Sequence, residues 1–341
     1  MSDDTILFIS YEDTLQLLTA EDALQAVEDV YGMHARNAVV FSTPPSFKMD
    51  VADFSNFWHV KGCLLKEVPI AGVRMYSYFD NGEYTTVGNN DSTRLIVLSD
   101  PTTSLPLAIV DEHWSYGLRS SAAAVIGCKW LAGKDPKKLA LIGVGTMCST
   151  ALRCLVSMYD FDEITCTSRT PGTRAAFAEI WSKELGVPVV PCDNAEQAVR
   201  DADIVVGGTT AGEVTCKWEW LKPGVTFISL AKREIDEEGW ANMDKVVLDD
   251  FSLNYRIPWF KELVDNGTLP ESGVYGEMWE IASGAKPGRS SEDESVLIHT
   301  TGLVSQDIAI AHLIYSRALA SGSGIRLPRA TNASSPDSAR S

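Results

Sequence analysis

The chain has 341 residues, 45% hydrophobic and 22% charged, the composition of a soluble globular protein of about two domains rather than a disordered, fibrous or disulfide-framework one. Its 29 basic residues against 46 acidic ones leave a formal charge of −17, a field that repels phosphate backbones and anionic lipid headgroups, so neither nucleic acid nor membrane is an expected partner. The acidic opening MSDDTILF, with no apolar run of about 18 residues, predicts a cytoplasmic protein. Seven cysteines without a CxxC pair are expected to be reduced thiols. Five scattered histidines, none at i, i+4 spacing, give no metal site.

In chain order, residues 21–37 (EDALQAVEDVYGMHARN) place Ala23, Leu24, Val27, Val30 and Tyr31 at helical spacing, the pattern of an amphipathic helix. From about 54 to 111, runs such as IAGVRMYSYF and RLIVLSD, punctuated by Asn-Gly and Asp-Pro-Thr-Thr, read as strands and turns. A helix is expected over about 119–132 (RSSAAAVIGCKWLA). From Lys138 the pattern alternates: LALIG, a helix over about 146–158, EITCTS, a helix over about 172–185, VPVVP, a helix in NAEQAVRDA, and DIVVGGTT. GVTFISLA and DKVVLDD follow. Nearly continuous apolar strands between helices indicate a parallel sheet covered on both faces, a Rossmann-type doubly wound α/β domain. The Ser-, Pro- and Arg-rich stretch from about Ala320 onward has no hydrophobic stripe and is expected to be disordered.

Gly143-Val144-Gly145-Thr146-Met147-Cys148 follows a strand and opens a helix, the context of a dinucleotide loop. The first Gly permits the turn, the second admits a pyrophosphate to the backbone, and Thr146 and Met147 begin the helix whose N-terminus faces it. Cys148 stands where a third Gly is usual. At the end of the next strand, Ser168-Arg169-Thr170 replaces the acidic residue that would bind a ribose 2′-hydroxyl. A guanidinium and hydroxyls suit a 2′-phosphate, so NADPH is the expected cofactor, with NADH the alternative.

The run DSTRLIVLSDPTTSLPLAIVDEHWSYGLRSSAAAVIGCKWLAGKDPKKLALIGVG (91–145) contains a D-x-x-T-x-x-P-x-A turn, an Arg-Ser-Ser-Ala-Ala helix and the Gly loop in that order. It resembles the ornithine cyclodeaminase and mu-crystallin family, and DKVVLDD, EIASGAKPGRSSEDESVLIHTTG and QDIAIAHLIYSRA extend the likeness over roughly residues 5–325. The resemblance implies a homodimer. Its sheet-rich substrate and dimerisation lobe would comprise residues 1–130 plus 304–325, around an inserted NAD(P)-binding domain at 131–303, with a disordered tail at 326–341. It also implies hydride exchange at the Cα of an amino or imino acid whose carboxylate is clamped by basic side chains.

On that basis Arg119, at the family's Arg-Thr position, is expected to hold the carboxylate from the start of a helix. Arg74 stands where most members have a lysine, and keeps the positive clamp while removing the usual acid-base group. Lys48 falls near a further carboxylate-binding arginine. Lys61, in the apolar segment WHVKGC, is the expected replacement proton donor, whereas His59 reads as a packed residue. Trp58, Tyr76 and Tyr78 either shape the pocket or join the core. The segment Phe227–Lys232 lacks the aspartate that the cyclodeaminase carries after its fifth Rossmann strand, which argues against ring-closing deamination. The expected activity is NAD(P)H-dependent reduction of the C=N bond of an α-imino acid, as in a ketimine or cyclic imine reductase or an amino acid dehydrogenase. A cyclodeaminase-like ammonia lyase and a non-catalytic crystallin-like binder are the alternatives.

Overall fold

The computed structural model describes residues 4–51, 56–79 and 94–329. Its strands are β1 (Thr5–Ile9), β2 (Val39–Val51), β3 (Asn56–Leu65), β4 (Ile70–Phe79), β5 (Arg94–Ser99), β6 (Pro106–Asp111), β7 (Lys138–Ile142), β8 (Glu163–Thr167), β9 (Val189–Pro191), β10 (Ile204–Gly207), β11 (Thr226–Ser229), β12 (Lys245–Leu248), β13 (Val274–Glu277), β14 (Val296–His299) and β15 (Ile325–Pro328). Among the described residues they form two sheets, β15-β1-β6-β5-β4-β3-β2 and β13-β12-β14-β11-β10-β7-β8-β9.

The second sheet is parallel throughout. Strands β10, β11, β12 and β14 bury every residue, as expected where apolar runs are covered on both faces. From β7 the order steps to β8 and β9 on one side and to β10, β11 and β14 on the other. The reversal between β7 and β10 opens a crevice at the carboxyl ends of the strands, where doubly wound sheets bind ligands.

The first sheet is antiparallel from β2 to β6, with β1 parallel to β6 and antiparallel to β15. The helix Val304–Ser321 lies against one of its faces so closely that a Cβ on Gly72 would come within 2.4 Å of Ile308 Cδ1. On the opposite face Val73 and Val97 are register neighbours on β4 and β5 and both are exposed.

The structure departs from the sequence reading at three places. The helix expected at 119–132 is His113–Val125 with a short turn at Cys128–Leu131, because Asp111 Oδ1 accepts the His113 N–H at 2.9 Å and starts the helix early. Arg119 is therefore in its second turn, not at its start. The first strands and helices also begin sooner: the helix Tyr11–Leu17 is capped by a Ser10–Asp13 box, and β2 runs through Pro44 and Pro45, which interrupt the strand pattern in sequence. Finally, the expected disordered tail is structured to residue 329. The last helix continues to Ser321, Gly322 ends it at φ +75°, and β15 pairs with β1. Residues 330–341, like the Asn-Gly turn at 81–82, lie outside the described residues.

Candidate active site

Gly143 leaves β7 at φ +108°, a conformation L side chains rarely adopt, and a Cβ there would lie 2.8 Å from the Gly208 carbonyl oxygen. Gly145 caps the helix Thr146–Val156, and a Cβ on it would meet nothing within 4 Å. Free helix N–H groups thus open onto bare backbone and empty space, which fits a pyrophosphate. Thr146 and Met147 are half-buried beside that opening. Cys148 is fully buried with its Sγ against Gly208, where an added Cβ would come within 2.7 Å. The close approach usually granted by a third glycine in the loop is supplied instead by Gly208, just beyond β10. At the carboxyl end of β8, Arg169 and Thr170 are exposed, and the half-buried Ser168 donates its hydroxyl to the Thr170 carbonyl at 3.2 Å.

The helix His113–Val125 is packed onto the loop's helix. A Cβ on Gly117 would be 2.9 Å from Thr146 Cγ2, and the Ser121 and Thr150 hydroxyls are 2.7 Å apart. Two residues after Gly117, Arg119 is buried with its guanidinium against Gly302, at φ +84° in the loop after β14; a Cβ there would fall 2.1 Å from Nη1. Asp249, buried beyond it, fixes that loop by accepting the N–H groups of Gly302 at 2.6 Å and Thr301 at 2.8 Å.

Arg119 Nε lies 2.5 Å from Asp307 Oδ1 in the first turn of the last helix. Neither atom completes a hydrogen bond, so the contact is an ion pair approached off the N–H axis. The same oxygen is 3.7 Å from Arg74 Nε, which donates to Glu112 Oε1 at 2.6 Å. Arg74 is buried; desolvation works against its charge, but Asp307 and Glu112 outweigh that and hold it above the usual guanidinium range. Glu112 shifts upward, driven by burial and opposed by Arg74. Lys61 sits directly opposite Arg74 in the β3–β4 register, and burial, reinforced by the Arg74 charge, lowers its ammonium pKa. Tyrosine rings interleave the guanidiniums: Arg74 is 4.2 Å from the Tyr76 ring centre, and Arg94 is 4.0 Å from that of Tyr116.

Of the residues singled out in sequence, the structure brings Lys61, Arg74, Arg119 and Tyr76 together. Lys48 is exposed on β2, opposite His59 in the β2–β3 register. His59 is half-buried, with Nδ1 2.6 Å from the Tyr76 hydroxyl. Trp58, one residue before it, turns to the opposite face of the sheet, and the side chain of Tyr78 lies outside the described residues. After β11 the buried Glu234 carboxylate accepts N–H groups from Thr209, Leu230 and Ala231 at 2.7–3.2 Å. The loop lacking an aspartate is thus tied down by a glutamate turned into backbone. Arg94, Glu112, Asp307 and Gly208 were not read from the sequence. Arg94 is betrayed only by pairing opposite Tyr76, a register that no local pattern gives. Among the described residues no group of His, Cys, Asp and Glu could hold a metal ion, and no helix is long and apolar enough to cross a membrane. All seven cysteines are free thiols.

A sequence profile of the ornithine cyclodeaminase/mu-crystallin family matches residues 7–322. The chain belongs to this family. Among the relatives of this family member is the N-((2S)-2-amino-2-carboxyethyl)-L-glutamate dehydrogenase of Staphylococcus aureus, 26% identical over 86% of this chain and 89% of that protein. A Delta(1)-pyrroline-2-carboxylate reductase of Bacillus cereus is 27% identical over 72% of this chain and 77% of its own length. The solved Thermococcus litoralis Delta(1)-pyrroline-2-carboxylate reductase, in complex with NADH and L-proline, superposes with a TM-score of 0.87 at 25% identity. It covers 94% of this chain and 100% of that one.

Proposed function

We propose that this family member is an oxidoreductase that reduces the C=N bond of an α-imino acid, cyclic or linear, to the amino acid, using NADPH. The observation that carries this reading is the grouping of half-buried Lys61 with the buried Arg74 and Arg119, the last on a helix packed against the one that begins at the Gly143–Gly145 loop. Named relatives that act on imino and amino acids support it. A nicotinamide dinucleotide supplies the hydride when bound. Arg119 and Arg74 hold the substrate carboxylate and fix the Cα in line for that hydride. Lys61, its ammonium made more acidic by burial, supplies the proton where the imine arrives neutral. Glu234, already occupied by three N–H groups, is not placed as a general base, which disfavours the ammonia lyase.

Preference for NADPH rests on Ser168, Arg169 and Thr170, which offer a cation and hydroxyls and no carboxylate. A homodimer is supported by the apolar face formed by Val73 and Val97 with Val40, Phe47 and Met49 exposed on β2. The reduced thiols and strongly acidic surface suit the cytoplasm.

The deciding experiment offers preformed cyclic imino acids, and 2-keto acids with ammonia or amines, to the protein and follows NADPH oxidation and ammonia together. Net, stoichiometric cofactor consumption is expected. Ammonia release with recycled cofactor would establish the lyase, and ligand binding without turnover across the panel would leave the crystallin-like binder. NADPH is expected to bind at least about tenfold tighter than NADH, about 1.4 kcal/mol, as read by nicotinamide fluorescence. An unchanged ratio in Arg169→Ala would remove that residue from cofactor selection.

A further inference from the structure

The cluster holds two buried carboxylates among its cations, and they are not equivalent. Asp307 Oδ1 completes no hydrogen bond, but it is flanked by two cations, Arg119 at 2.5 Å and Arg74 at 3.7 Å, which compensate its charge within the protein. Glu112 uses Oε1 for Arg74, and its Oε2, equally buried, has no hydrogen-bond partner. A buried carboxylate oxygen left without a donor is costly, and such an atom inside a ligand site points to a donor that arrives with the ligand. Glu112 follows β6 and is the N-cap residue of the helix carrying Arg119, so the orphaned oxygen lies beside the cations proposed to clamp the carboxylate.

An α-imino acid brings opposite charges on neighbouring atoms: a carboxylate on Cα, and a nitrogen that is cationic once protonated. A wall of cations alone would accept the first and repel the second. We infer that Glu112 Oε2 accepts the hydrogen bond of the substrate's protonated C=N nitrogen. Glu112 is thereby a catalytic residue that selects a cationic nitrogen beside the carboxylate, an assignment that rests on the function proposed above. In the reduction, hydride adds to the imine carbon, the C=N π pair becomes the nitrogen lone pair, and the dihydronicotinamide is oxidised to the cationic nicotinamide ring, which takes over the positive charge. The proton already on nitrogen stays there as the N–H of the neutral amine, which water then protonates. The upward shift that burial gives Glu112 fits a carboxylate whose natural counter-ion comes with the substrate.

The test needs ligands that differ only at that nitrogen. Pipecolate and tetrahydropyran-2-carboxylate form a cyclic pair, alanine and lactate a linear one, each titrated calorimetrically into the protein saturated with NADP⁺. The wild type is expected to prefer the nitrogen ligand by about tenfold or more in at least one pair. Glu112→Gln should abolish that preference while leaving the oxygen ligand within about twofold, with the melting temperature and NADP⁺ affinity confirming the fold. Equal weakening of both ligands would mean that Glu112 acts only by positioning Arg74, and overturns the assignment, as does a preference that survives in the variant. A wild type that binds both members of each pair equally overturns it without any variant. Binding of none of the four ligands would overturn the α-imino acid reading, and this assignment with it.

Discussion

Arg119 is held from three sides, by Gly302 against its Nη1, Asp307 at its Nε and the Tyr116 ring 5.8 Å away. Arg119→Ala should lower kcat/KM about a thousandfold, roughly 4 kcal/mol of lost transition-state binding, while dinucleotide affinity changes only a few-fold. It also strands Asp307, so the melting temperature should fall. Asp307→Asn in the same chain should restore much of the stability and none of the activity, and joint recovery would show that the arginine is purely structural. Arg74→Lys should be milder, because the charge stays while the Nε donor to Glu112 is lost. His299 makes a different prediction. Burial among Trp240, Trp259 and Phe260 lowers its pKa to about 4, with Nδ1 3.1 Å from the Ser229 carbonyl. The folded protein keeps this ring neutral where the unfolded chain protonates it near 6.5, so its contribution is complete above that pH and is lost as pH falls toward 4. Urea titrations should show wild type losing about 2 kcal/mol more than His299→Gln between pH 7 and pH 5. Equal losses would mean the ring is protonated without penalty.

At the scale of elements, the dinucleotide loop was legible because its chemistry is local: Gly143, Gly145 and the following helix sit within six residues. What replaces the third glycine was not, since Gly208 is 60 residues from Cys148 and meets it only through β7–β10 pairing. Gly208→Ala should therefore push on Cys148 Sγ and weaken dinucleotide binding by about tenfold or more, and adding Cys148→Ala should recover most of it. Dinucleotide affinity unchanged in the single variant would show that the loop has slack. The same logic separates the readable from the unreadable residues of the buried charged cluster. Arg119 and Arg74 stand in runs with recognisable neighbours, whereas Glu112 reaches Arg74 only through the β4–β5–β6 pairing and Asp307 reaches the arginines only when the last helix lies across the first sheet. Arg119 was also misplaced to a helix start, because a helix that begins with His, Trp and Ser and contains Gly117 carries weak propensity ahead of the arginine.

For the whole molecule, alternation of strands and helices after Lys138 was enough to give the parallel sheet, since full burial on both faces forces unbroken apolar strands. The first sheet was harder. One face takes the last helix and the other shows Val73 and Val97, so its strands mix inward charge with outward valine, the reverse of an ordinary half-exposed strand. That inversion is sensible if a second copy covers the valines. Val73→Glu should shift the sedimentation of a dimer to that of a monomer while leaving dinucleotide binding intact, and an unchanged sedimentation coefficient would move the interface elsewhere.

The contact of Gly117 with Thr146 and Thr150, and the hydroxyl pair of Ser121 and Thr150, join the helix bearing Arg119 to the helix that begins at the Gly143–Gly145 loop. Under the proposed function two ligands share this pair of helices, and thermodynamic reciprocity applies: whatever factor a bound carboxylate adds to dinucleotide affinity, the dinucleotide must add to carboxylate affinity. Paired titrations should return equal factors in both directions, above one in the wild type and near one in Gly117→Ala, where a methyl group would wedge the helices apart. A coupling that survives that wedge would have to travel through Gly302 and the loop after β14 instead.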